Sequence, residues 1–179
     1  MTTRDIVTNF ILFQIGWFAC VLSSAASQPV WGVAVAVVVI GYHLIRAVKP
    51  LYEIYLIMIA MLIGAMWDSL LMVYGLLDYT SGIFLPNTAP YWIVVMWALF
   101  ATTINVSLRW LKDKYRLAII LGAVAGPLAY YGGVRLGAVS FIDTNTALIA
   151  LAVGWAIFTP LLVAISKDID GYLEAEARI

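Results

Sequence analysis

Six apolar runs, each about 17 to 25 residues long, take up nearly all of the 179-residue chain. As α-helices, runs of that length cross about 30 Å of hydrocarbon, where every backbone N–H and C=O must find a partner inside the protein. The expected fold is therefore all-α: a polytopic membrane protein with six transmembrane helices in one integral membrane domain, residues 1–179. The spans are Ile6 to Ala25, Pro29 to Ile45, Ile54 to Leu77, Tyr91 to Trp110, Leu117 to Ala138 and Thr144 to Ser166, with a charged tail over 167–179. Composition agrees, since 64 % of residues are hydrophobic and 11 % charged, whereas a soluble domain has about a quarter charged.

The basic residues orient the chain. Arg4, Arg46, Lys49, Arg109, Lys112, Lys114, Arg116, Lys167 and Arg178 all fall on one side of a six-span topology, and Arg135 alone falls on the other. By the positive-inside rule, both termini are expected in the cytoplasm. Ser23-Ser24-Ala25 has the look of a signal cleavage site, but Asn9 and Gln14 interrupt the apolar core before it, so the first span is expected to be a retained helix. The outer loop from Asp78 to Pro90, with Gly82, Pro86, Asn87 and Pro90, is expected to be irregular. No internal repeat is evident.

Several chemistries are excluded at this stage. One cysteine, Cys20, rules out an intrachain disulfide or a thiol redox pair, and one histidine, His43, rules out a multi-histidine metal centre. No cofactor and no metal are expected. Zero formal net charge gives no general attraction to nucleic acid. The expected partners are membrane lipids, a small-molecule or lipid-like ligand, and a membrane-protein partner or second copy of the chain.

Polar residues inside the spans are the candidate site. Asp68 lies in the outer half of span three, where an aspartate costs about 2.5 to 3.5 kcal/mol at a helix centre, so it faces a partner or a wet cavity. Arg135, the one basic residue of the outer side, is its expected ion-pair partner, with Asp143 competing for Arg135. Tyr131 shares the Arg135 face of span five beyond Pro127, and Tyr130 stands beside it. A second, deeper set comprises Asn9, Gln14 and Trp17 of span one, Thr102 and Asn105 of span four, and Trp155 of span six. Each of these also has a plainer reading as a helix-joining or packing residue. His43 and Cys20 are given no role.

Several segments resemble an uncharacterised bacterial inner-membrane family, domain of unknown function 2878. They are Asn9-Phe10-x-Leu12-Phe13-Gln14-x-x-Trp17, Asp68-Ser69-Leu70-Leu71 followed by Gly75-Leu76, and Phe100-Ala101-Thr102-Thr103-x-Asn105-x-Ser107-Leu108-Arg109-Trp110. Gly122-Ala123-x-x-Gly126-Pro127-Leu128-Ala129-Tyr130, ending in Arg135-Leu136-Gly137-Ala138, completes the likeness. The resemblance implies a bacterial inner-membrane location and a setting close to fatty-acyl modification, and it implies no activity. Three functions stay open: a small binding or transport protein with a polar intramembrane pocket, an enzyme or accessory subunit acting on lipid, and a scaffold or assembly factor.

Overall fold

The computed structural model describes residues 2–173, so Arg178 and the rest of the tail beyond Leu173 lie outside the described residues. Six helices form one bundle: α1 (Thr3–Ala25), α2 (Pro29–Arg46), α3 (Pro50–Val73), α4 (Tyr91–Ile104), α5 (Tyr115–Arg135) and α6 (Thr144–Asp168). Two short strands, β1 (Leu77–Tyr79) and β2 (Val139–Phe141), pair at one end. Five of the helices are long and apolar enough to cross a membrane, and α4 is a shorter apolar helix. The protein is an all-α polytopic membrane protein, its outward faces carrying residues such as Val38, Leu62 and Leu128. Asp5 bonds Arg46, and Lys49 bonds Gly171 through the backbone, so both ends of the described chain share the end of the bundle opposite the strands.

Three sequence expectations need correction. Span three does not run to Leu77, nor span five to Ala138. Both helices stop at a glycine with positive φ, Gly75 at 64° and Gly137 at 86°. A side chain is disfavoured there, and the reversal lets Leu76 N–H reach Leu71 C=O and Ala138 N–H reach Gly133 C=O, closing the loose carbonyls of each helix. The chain then turns into β1 or β2, so this outer region is partly ordered as a ribbon. Span four likewise stops at Ile104 instead of Trp110. Its last turn is consumed by Thr102 and Thr103, whose hydroxyls bond back to Leu99 and Phe100 carbonyls. Irregular backbone inside a bundle needs side-chain partners, and Asn9 of α1 supplies them: its amide donates to Thr102 C=O at 3.1 Å and accepts from Ser107 N–H at 3.3 Å. A short 3-10 turn, Arg109–Leu111, leads on to α5.

The third correction concerns repeats. The units α3–β1–α4 and α5–β2–α6 match each other. Along the first helix and strand, equivalent residues lie 62 positions apart: Gly64 and Gly126, Asp68 and Tyr130, Gly75 and Gly137, Leu77 and Val139. Along the second helix the offset is 58, matching Trp97 with Trp155 and Phe100 with Phe158. The β1–β2 register is symmetric about Asp78 opposite Ser140, with Leu77 opposite Phe141 and Tyr79 opposite Val139. Trp97 and Trp155 stack face to face, centroids 4.6 Å apart and planes at 15°. Each lies against its own unit's glycine, since a Cβ on Gly64 would run into the Trp97 ring and one on Gly126 into the Trp155 ring. An approximate two-fold axis therefore runs along the bundle, between the two tryptophans and through the ribbon. Few residue identities mark the repeat, and the linkers from strand to helix differ in length, which hides it in the sequence.

The two-fold is broken in packing. α3 packs on α6, and α1 packs on α2 and α4, but α5 makes little contact with either α4 or α1.

Candidate functional site

Asp68 is fully buried, and both carboxylate oxygens are taken. Oδ1 accepts from the Tyr79 and Tyr130 hydroxyls, each at 2.6 Å, and Oδ2 accepts from the Trp97 indole N–H at 2.8 Å. A carboxylate has lone pairs for all three donors, and each bond to a charged acceptor contributes about 1.5–3 kcal/mol. Together they outweigh the cost of putting the acid in the membrane. Tyr79 arrives from β1 and Tyr130 from α5, so Asp68 ties ribbon, α3, α4 and α5 together near the two-fold axis. Burial, with the neighbouring carboxylate adding to it, pushes the Tyr79 phenol well above its ordinary value. The expected ion pair is absent: Arg135 is exposed at the end of α5 and bonds neither oxygen of Asp68, while Asp143 caps α6 through the Thr146 N–H at 2.7 Å. Phenols and an indole satisfy an acid as fully as a guanidinium does, without burying a second charge. Tyr131 is 44 % exposed and bonds nothing at the Asp68 site; of the adjacent tyrosines only Tyr130 turns inward.

A second buried acid was not singled out from sequence. Glu53, also fully buried, lies near the start of α3. Its Oε2 meets His43 Nε2 at 2.7 Å, and its Oε1 accepts from Asn105 and from the Gly171 N–H, both at 2.7 Å. Asp170 accepts from Arg109 and Lys112, and Lys112 also donates to Asn105 Oδ1 at 2.7 Å and Ser166 C=O at 2.9 Å. The Tyr172 hydroxyl donates to His43 C=O at 2.7 Å. Burial holds the Lys112 ammonium below its usual range, with Asp170 opposing the shift, and burial pushes the Tyr172 phenol upward. This network clips the segment after α6 over the strand-free end of the bundle. Asn105 belongs here, and Asn9 and Thr102 belong to the end of α4; all three hold chain together. His43, left without a role from sequence, pairs with Glu53. The signal that could have found Glu53 is its position two residues after the Pro50-Leu51 helix start, ten after His43, at the edge of an apolar run.

The remaining predicted residues, Gln14, Trp17 and Trp155, meet around a cavity of about 440 Å³ between α1 and α5, floored by α4 and α6. Phe10, Phe13 and Gln14 line the α1 side; Ala125, Leu128 and Ala129 line the α5 side; Phe100, Thr103, Trp155 and Thr159 lie at the back. A smaller cavity of about 70 Å³ continues it toward the ribbon, bounded by Trp17, Tyr79, Met96 and Tyr130, so the two tyrosines that hold Asp68 also line it. Trp17 bridges the gap there, lying 3.3 Å from where a Cβ on Gly132 would sit. No charged side chain lines either cavity. Trp155 Nε1, Thr159 Oγ1 and Ser107 Oγ have no hydrogen-bond partner among the described residues, as is also true of Ser24 Oγ and Trp67 Nε1 away from the cavity, and all five atoms are shut off from open space.

Among the described residues no group of histidine, cysteine, aspartate or glutamate is placed to hold a metal ion. No curated protein matches the chain, and no solved structure does. One family model matches, that of a protein of unknown function, DUF2878, over residues 6–161. The match spans the first five helices and most of the sixth, from the α1 wall of the cavity through Trp155 and Thr159 at its back, and the chain belongs to that family.

Proposed function

We propose that this protein is a binding protein of the bacterial inner membrane, which takes a lipid-like molecule sideways from the bilayer into the cleft between α1 and α5. The observation that carries this is the cleft itself: two neighbouring helices stand apart, and the space between them is apolar, uncharged and walled by aromatic rings. Its volume falls within the range of about 300–1,000 Å³ common to small-molecule sites. A cleft facing hydrocarbon is filled by what dissolves there. Arg4, Arg46, Lys49, Arg109, Lys112, Lys114, Arg116 and Lys167 lie toward the strand-free end, which supports a cytoplasmic side there.

Binding is favoured over catalysis by the state of the two acids. Asp68 and Glu53 have their oxygens occupied by protein donors, so neither is free to act as a base toward a molecule in the cleft. The test is native mass spectrometry of detergent-purified protein. Wild type should retain a co-purified apolar molecule, and Ala129→Trp, which fills the cleft, should lose it while keeping its helical circular dichroism. An equal complement of bound molecules on both proteins would refute the cleft as the site.

A further inference from the structure

The depth of the cleft sets which part of a lipid fits it. On three helices the deepest lining residue lies equally far from the strand-free end. Trp17 is fourteen residues from the start of α1, Ala129 fourteen from the start of α5, and Trp155 thirteen from the end of α6. At a helical rise of about 1.5 Å per residue, each lies about 20 Å deep. Half a bilayer, headgroups included, is about 20–22 Å thick. The cleft therefore ends near the midplane, where Trp17 reaches across to Gly132. Its shallow end, at Phe10 and Leu121, lies about 10 Å in. That band is the hydrocarbon of a single leaflet, the one at the strand-free end.

The lining decides what stays outside. Nothing charged faces the space, so an ionised group has no partner within it and keeps to the water. A cation stands instead at the foot of the cleft. Leu108 lines the cleft, and two tight turns lead on from it: Leu111 N–H bonds Leu108 C=O at 2.9 Å, and Lys114 N–H bonds Leu111 C=O at 2.8 Å. Lys114 is seven residues before Leu121 and fourteen before Leu128, which puts it on the stripe of α5 that walls the cleft. It is exposed, with its ammonium 5.6 Å from the centroid of the half-exposed Trp110 ring. Arg46, Arg109, Lys112 and Lys167 each pair with an aspartate, whereas among the described residues no carboxylate pairs with Lys114. A lysine beside a tryptophan at the membrane edge suits a phosphate in the headgroup layer.

We propose that the occupant is a phospholipid of the leaflet at the strand-free end: one acyl chain fills the cleft between α1 and α5, and the phosphate stays outside it, on Lys114. In the orientation given above, that is the cytoplasmic leaflet. This rests on the cleft being a ligand site, and adds the class of lipid and the leaflet that supplies it.

The experiment is native mass spectrometry of the full chain, stripped of lipid in detergent and titrated with dioleoyl phosphatidylglycerol or with dioleoylglycerol, which has the same chains and no phosphate. Wild type should hold the phosphatidylglycerol roughly three- to tenfold more tightly. Lys114→Ala, at an exposed position and with an unchanged melting temperature, should erase that preference and bind dioleoylglycerol as wild type does. Ala129→Trp and Ala125→Phe, each with wild-type helical circular dichroism, should lose both lipids. If the two lipids bind wild type equally, or Lys114→Ala keeps the preference, the headgroup assignment is overturned and the cleft survives as a site for an uncharged apolar molecule. If both cleft-filling variants hold both lipids as wild type does, the cleft itself is refuted.

Discussion

Asp68→Asn separates an acid held by its donors from an acid held for a ligand. In the substituted protein the side-chain oxygen can still accept from Tyr79 and Tyr130, and the new NH2 then faces the Trp97 N–H, donor against donor. Three bonds to a carboxylate, at about 1.5–3 kcal/mol each, become two neutral bonds at about 0.5–1.5, with two buried donor groups left unpaired at about 1–3 each. Against this, the substitution removes the insertion penalty of about 2.5–3.5 kcal/mol. The balance is a loss of about 3–8 kcal/mol. For a chain of this length that lowers the melting temperature by at least roughly 6 °C. Thermal unfolding followed by near-ultraviolet circular dichroism in a mild detergent reads it directly, with signal from Trp97 and Trp155. Trp97→Phe, which removes one donor and leaves Oδ2 without a partner, should fall in the same direction by less. An Asn variant as stable as wild type would show that the three donors do not hold Asp68, and the account of the site would fail.

Glu53→Gln removes the acceptor that His43, Asn105 and Gly171 share, so the segment after α6 should come loose and limited proteolysis near Gly171 should speed up several-fold; an unchanged cleavage rate would contradict the clip. Trp67 of α3 packs edge-on to Phe158 of α6, with Gly154 leaving room for its ring, so Trp67→Ala should cost about 3–5 kcal/mol, and a thermal melt no lower than wild type would refute the packing role of that indole. Tyr79 and Tyr172 both have folded-state values raised above the ordinary 10.0, so the unfolded chain releases their protons first. Stability should be level below pH 10 and fall as pH rises above it, less steeply in Tyr172→Phe; a melt that stays level up to pH 11 would contradict the burial of these phenols.

Much of the fold was legible because the bilayer leaves few choices. Apolar run length gave each helix; α2 starts at Pro29 as its span did, but α3 starts at Pro50, four residues before the expected Ile54, because proline suits the first helical turn. Helix ends were less legible. Gly75 and Gly137 sit inside apolar sequence, and nothing local distinguishes a glycine that reverses the chain from one that admits a neighbour, as Gly64 does for Trp97. Asp68 announced itself as buried, but its partners did not: a tyrosine from the outer ribbon and another from α5 are distant in sequence, and only folding brings them to one carboxylate. A search for opposite charge led to Arg135, when neutral donors were closer. Glu53 and Asp170 were illegible for a related reason. Each looks like an ordinary membrane-edge charge, and the premature end of α4 is what draws Asn105, Arg109 and Lys112 over to them. The cleft was half legible: Gln14, Trp17 and Trp155 were chosen as polar or amphipathic intruders, while Ala125 and Ala129, small residues on the α5 wall, are the least conspicuous residues in it.

The most direct measurement is a crystal structure grown in a lipid mesophase doped with a bromine-labelled apolar lipid. Anomalous scattering should place bromine between α1 and α5, beside Ala129 and Phe100, in wild type but not in Ala129→Trp. Bromine found only on the outer, lipid-facing sides of the helices, with α1 and α5 closed together, would contradict the account.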